Sequence, residues 1–164
     1  VLNVKLPRLS SWLAQREIIA SRYIDLLNNL PAFELPVKQN QTHMIHTWNQ
    51  FVVRVRSFSS KETPFQSGLN SLDANYQHIS EKQSRRDWLK SRLEEKGINT
   101  IIYYPKPIHL QPAYKDAGYS EESLPITEGL CDEVLSLPIF PEITLQQQNY
   151  IVNAIHELLN PVRI

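Results

Sequence analysis

Between Arg8 and Leu30 the apolar residues Leu9, Trp12, Leu13, Ala20, Tyr23, Ile24, Leu27 and Leu30 return at intervals of three and four. That spacing gathers them on one stripe of an α-helix. Arg8, Gln15, Arg22 and Asn29 fall off the stripe. Pro7 suits a first helical turn, where the backbone amide has no intrahelical partner anyway, and Pro31 cannot donate the next backbone bond. A helix so bounded has to bury its stripe, so the remaining chain must supply a layer that covers it.

That layer is read as a sheet. Thr42 to Arg56 (THMIHTWNQFVVRVR) is rich in bulky and β-branched residues and ends in the alternation Val53-Arg54-Val55-Arg56, which predicts one long strand with a bulge near Asn49. Residues 57–84 are polar, rich in serine and without a sustained period, so they read as an exposed insertion. Ser84 begins a weak capping box for a helix through Trp88, Leu89, Arg92 and Leu93, with Gly97 as its left-handed exit. Asn99 to Tyr104 predicts a short strand, Thr127 to Leu135 a short helix capped by Thr127, and Ser136 to Phe140 another extended piece. Thr144 and Gln147 form a capping box for a terminal helix that stops at Asn160-Pro161. With few strands and no βαβ series, the expected fold is a single α+β domain over 1–164, a short, mainly antiparallel sheet covered by helices. Trp12 and Trp88 are expected as core anchors.

Composition removes several classes of function. Seventeen basic residues balance 17 acidic ones, which leaves no electrostatic footprint for nucleic acid or an anionic membrane. Only four glycines are present, and neither GxGxxG nor GxxxxGK[ST] occurs. The single cysteine, Cys131, cannot form an internal disulfide and reads as core packing, and nothing has the length of a membrane span, so a cytoplasmic location is expected. The chain opens on Val1-Leu2-Asn3-Val4 without an initiator methionine, which suggests a piece of a longer protein.

Of the five histidines, His43 and His46 stand three apart in a predicted strand and would face opposite sides, so they cannot share a metal. His78 lies in the insertion and His156 in the terminal helix, both in structural or surface settings. The pairs Glu94-Glu95 and Glu121-Glu122 read as solvated faces. His109 differs, because it sits within 103-YYPKPIHLQPAY-114, a segment with three prolines and three tyrosines. Proline fixes φ, so a side chain there is held at low entropic cost. A surface polyproline II segment packed on the domain accounts for the same composition.

Tyr104-Pro105-x-Pro107-x-His109-Leu110-Gln111-Pro112-Ala113-Tyr114, then Gly118-Tyr119, Leu124-Pro125-x-Thr127-Glu128 and Glu133-Val134-Leu135-Ser136-Leu137-Pro138-Ile139-x-Pro141-Glu142 follow in order. This series resembles the C-terminal part of the pyridoxal-phosphate-dependent sugar-nucleotide aminotransferases of the DegT and StrS family. Asn49-Gln50-Phe51, Arg54, Arg86-Asp87-x-Leu89, Leu93 and Gly97-Ile98 are similar to its strand-helix-strand core.

The resemblance implies the small C-terminal domain of a fold-type I aminotransferase, separated from its large cofactor-binding domain. Members transfer an amino group from glutamate or glutamine to a nucleotide-linked keto-sugar. It implies that pyridoxal phosphate is held in the parent by a lysine upstream of Val1, that no cofactor is carried by this piece, and that the parent is a homodimer. His109, Tyr103 and Tyr104 would then face the substrate cleft and bind the sugar or its phosphates, with no catalytic or metal-binding residue on this piece. Members often carry histidine where this chain has Tyr103, which marks a departure. A stand-alone interaction module that docks a partner through 103–114 is an alternative, as is a dehydratase or regulatory member of the same family.

Overall fold

The computed structural model describes residues 2–37, 46–56 and 84–159. The predicted insertion at 57–84, apart from Ser84, lies outside the described residues, as do His43, His78 and the first four residues of the predicted long strand.

The N-terminal stripe does form a helix. A short α1 (Leu2–Lys5) runs through a 3-10 turn at Leu6–Arg8, where Pro7 sits, into the long α2 (Leu9–Leu27). Ile19, Ala20, Tyr23 and Leu27 are its buried residues. Trp12 is only half-buried and Leu9 is 45% exposed, so the first half of the stripe is not core and Trp12 is no anchor. The helix also stops three residues earlier than expected. A turn in which the Leu30 amide donates to the Leu27 carbonyl at 3.1 Å ends it before Pro31 is reached.

Three strands make one antiparallel sheet in the order β1 (Phe33–Glu34), β2 (Phe51–Val55), β3 (Val134–Leu137). Phe33 faces Val55 across the first pair, and Phe51 faces Leu137 across the second. In β2 the alternation predicted for its tail is real, since Phe51, Val53 and Val55 are buried. The strand is much shorter than expected because Trp48 takes φ 47. A left-handed residue cannot continue a strand, and the Trp48 amide donates to His46 Nδ1 instead of a ladder partner.

The expected strand at Asn99–Tyr104 shrinks to one bridge, in which Ile101 and Ser136 exchange amide-carbonyl bonds at 3.2 and 2.8 Å. Pro105 and Pro107 follow closely and offer no amide to extend it. β3 likewise begins two residues before the expected Ser136 and ends at Leu137, before Pro138.

The helices α3 (Arg85–Glu95) and α5 (Leu145–Leu159) pack with α2 and the sheet around one core, in which Tyr23, Phe51, Leu89, Leu93, Leu135 and Ile155 are fully enclosed. Trp88 is buried as expected, at 5% exposure. Two of the three predicted caps are present, and the one expected at Thr127 is not. Ser84 Oγ accepts from the Asp87 amide at 3.1 Å, and Thr144 exchanges hydrogen bonds with Gln147 in both directions. Gly97 leaves α3 at φ 74. The short α4 (Pro125–Glu133) starts on Pro125, two residues before the expected Thr127 cap, because proline at a helix start needs no amide partner. Its C-terminal end is held by Arg86, buried at 4% exposure, whose Nη1 donates to the carbonyls of Cys131 and Val134 at 2.9 and 3.1 Å. Among the described residues no helix is long and apolar enough to cross a membrane.

Candidate functional site

The proline segment leaves the sheet beyond Ile101 and forms two 3-10 turns, Ile108–Leu110 and Pro112–Ala117. Its prolines hold φ where a regular strand or α-helix would need backbone donors. Gly118, at φ 81, then reverses the chain. The stretch 119–124 leads back to α4. The result is a stiff loop anchored at both ends on the domain.

Within it, the three expected site residues fall into two settings. Tyr104 is 70% exposed and Tyr103 is 37% exposed, their rings edge to face at 5.9 Å. Both hydroxyl-bearing rings are therefore presented outward. His109 is buried at 8% exposure, and its ring meets the edge of Tyr119 at 5.8 Å. Its Nε2 lies 2.9 Å from Oε1 of Glu128. Proline rigidity thus serves two ends: it shows the tyrosines and sinks the imidazole.

Glu128 was not among the expected site residues. It stands in the first turn of α4, and its Oε1 also accepts from the Leu124 amide at 3.0 Å, while Oε2 accepts from the Glu122 amide at 2.8 Å. The backbone bonds from Glu122 and then Leu124, with His109 adding to them, hold the Glu128 carboxyl below the usual carboxylate range. A sequence signal existed, since a carboxylate in the first turn of a helix is well placed to accept orphan amides. It gave no hint of which loop those amides would come from.

The remaining candidates are structural. Cys131 is half-buried on α4, and burial, with Asp132 beside it, pushes its thiol up and away from reactivity. It is therefore not the core residue expected. His156 on α5 contacts the Leu26 carbonyl through Nε2 at 2.9 Å. Glu121 and Glu122 are exposed, as expected. Among the described residues no group of His, Cys, Asp or Glu is arranged to hold a metal.

A second constellation shapes the start of β2. Arg16 Nη1 donates to the carbonyls of Trp48, Asn49 and Ile139, at 2.8, 3.3 and 3.3 Å, and Trp48 Nε1 donates to Glu17. These bonds hold the left-handed Trp48 in place, with the His46 ring tilted against its own at a centroid distance of 4.0 Å.

Comparison with known proteins agrees with this architecture. The sequence model of the DegT/DnrJ/EryC1/StrS aminotransferase family matches residues 1–78 and 62–156. The chain belongs to that family. A pleiotropic regulatory protein of Geobacillus stearothermophilus is 32% identical over 157 residues, covering 96% of this chain and 35% of that protein. The dTDP-3-amino-3,4,6-trideoxy-alpha-D-glucose transaminase of Streptomyces venezuelae is 33% identical over 157 residues, covering 96% of this chain and 34% of that enzyme. The crystal structure of S. venezuelae DesV in complex with a ketimine intermediate superposes with a TM-score of 0.75 at 32% identity, over 98% of this chain and 35% of that one. The chain thus spans about a third of the length of the relatives it matches.

Proposed function

We propose that this chain is the small C-terminal domain, over 1–164, of a pyridoxal-phosphate-dependent aminotransferase that moves an amino group from glutamate or glutamine to a nucleotide-linked keto-sugar. The observation that carries the reading is the combination of a near-complete match of this chain with a one-third match of its relatives, one of them a dTDP-sugar transaminase. The missing two thirds would form the large domain, and the parent would act as a homodimer in the cytoplasm.

The cofactor belongs with that large domain in this reading. A Schiff-base lysine needs an enclosed site that depresses its pKa. The described lysines do not offer one: Lys90 and Lys96 pair with Glu94 and Glu157 at the surface, and Lys5, Lys106 and Lys115 are exposed. In this reading amino-group chemistry lies with the large domain, and this chain supplies a wall of the substrate cleft.

Tyr103, Tyr104 and His109 form the rim of that cleft in the proposal. The exposed hydroxyls of the tyrosines reach a sugar or its phosphates without rearrangement, and the buried imidazole is the root on which they stand. The decisive test supplies the full-length protein with pyridoxal phosphate, a nucleotide-linked keto-sugar and glutamate or glutamine, and follows amino transfer by mass spectrometry. If His109→Ala in that protein left both turnover and KM as they were, the binding role of the rim would be lost. A regulatory role is the second reading, favoured by the similarity to the Geobacillus stearothermophilus regulatory protein. Failure of every keto-sugar to accept an amino group would support it.

A further inference from the structure

The rim spans more than a dozen residues, and three of its described hydrogen bonds, one long-range and two local, converge on one carboxylate. Glu128 receives a ring nitrogen from one arm of the loop, His109, and two backbone amides from the other, Glu122 and Leu124. One arm holds the prolines and the other follows the Gly118 reversal, so nothing local in sequence would keep them together. Glu122 provides an independent sign of restraint. It adopts φ 68, a conformation that a glutamate keeps only where its surroundings hold it there, and its amide is the one given to Oε2 of Glu128. The tethered imidazole of His109 is buried while Glu122 and Leu124 lie at the surface, and the groups offered outward, Tyr103 and Tyr104, are joined to His109 through Pro105 and Pro107, whose φ angles are fixed.

We propose that Glu128 is the positioning residue of the rim: it clasps the two arms of the 103–124 loop together, and His109 acts through this clasp rather than through a substrate contact of its own. The part of this inference that concerns substrate rests on the aminotransferase reading; the clasp itself does not.

Amide hydrogen exchange on the chain measures the clasp directly. In Glu128→Ala the amides of Glu122 and Leu124 should exchange at least about ten-fold faster, with Val53 in β2 and Ile155 in α5 unchanged as controls of the fold. Glu128→Gln keeps one acceptor oxygen and should restore protection to one of the two amides, which a merely space-filling side chain would not do; it also serves if Glu128→Ala fails to fold. Unaltered exchange at Glu122 and Leu124 in both variants overturns the proposal.

In the full-length protein, Glu128→Ala and His109→Ala should each raise KM for the nucleotide-linked keto-sugar by about ten-fold with a smaller fall in kcat, and the double variant should be no worse than either alone. Additive losses would show that His109 works independently of Glu128 and would overturn that half of the inference. If the unmodified protein transfers no amino group, the functional reading falls, and the exchange measurement still decides the clasp.

Discussion

Tyr23 carries the largest of the fully buried side chains, and its hydroxyl donates to the Pro138 carbonyl at 3.0 Å. Tyr23→Phe keeps the ring and strands that carbonyl, so it should lower stability by about 1–2 kcal/mol in a urea melt. Burial pushes the Tyr23 phenol well above the usual tyrosine range. The folded chain therefore holds this proton more tightly than the unfolded chain does. The stability tied to Tyr23 is full below about pH 10 and declines as pH rises beyond it. Spectrophotometric titration should show one tyrosine that ionises only as the protein unfolds, and Tyr23→Phe should remove that step. The tryptophans separate in the same way. Trp88→Ala should cost about 3–5 kcal/mol because the side chain is enclosed, whereas half-buried Trp12→Ala should cost well under that in the same melt.

At the level of elements, caps and clasps carry the testable energetics. Thr144→Ala removes the hydroxyl that accepts from the Gln147 amide at 3.1 Å and should lower stability by about 1 kcal/mol, read as a shift in Tm. The turn before α4 should be sensitive to acid. The Glu128 carboxyl is held below the ordinary carboxylate range, so its contribution is present above that range and is lost as pH falls through the lowered value. The Glu122 and Leu124 amides should lose exchange protection in that acid window before the β2 amides do. The helices and the caps at Ser84 and Thr144 were legible in the sequence because periodicity and capping are local, whereas the cap expected at Thr127 gave way to a start on Pro125. The strands were less so, because their limits depend on partners far along the chain. Trp48 looks like strand, and its left-handed turn is held by partners far along the chain, Arg16 and Glu17, thirty-two and thirty-one positions away. The site was legible in the same uneven way. Proline spacing pointed to the 103–114 loop and its tyrosines, but Glu128 is nineteen residues from His109 and nothing in its own neighbourhood announces the pairing.

Across the whole molecule the apolar surface is unevenly distributed. Leu2, Val4, Leu6 and Leu9 lie between 45% and 74% exposed along α1, the 3-10 turn after it and the start of α2. An apolar row of this kind favours association when nothing covers it. Sedimentation velocity of the chain alone should show concentration-dependent association, and Val4→Lys with Leu6→Lys should reduce it without moving the Tm. No change in the sedimentation profile would show that the row is not sticky enough to matter.

Besides its bonds to Trp48 and Asn49, the long helix α2 is secured by groups that come late in the chain. Arg16 reaches the Ile139 carbonyl, Tyr23 reaches Pro138, Gln148 donates from α5 to the Ile19 carbonyl at 2.8 Å, and His156 meets Leu26. Closing loops of this length is entropically slow. During synthesis, then, α2 is made well before α5 and keeps part of its greasy side bare until that last helix of the described residues is translated, a window in which chaperones can bind it.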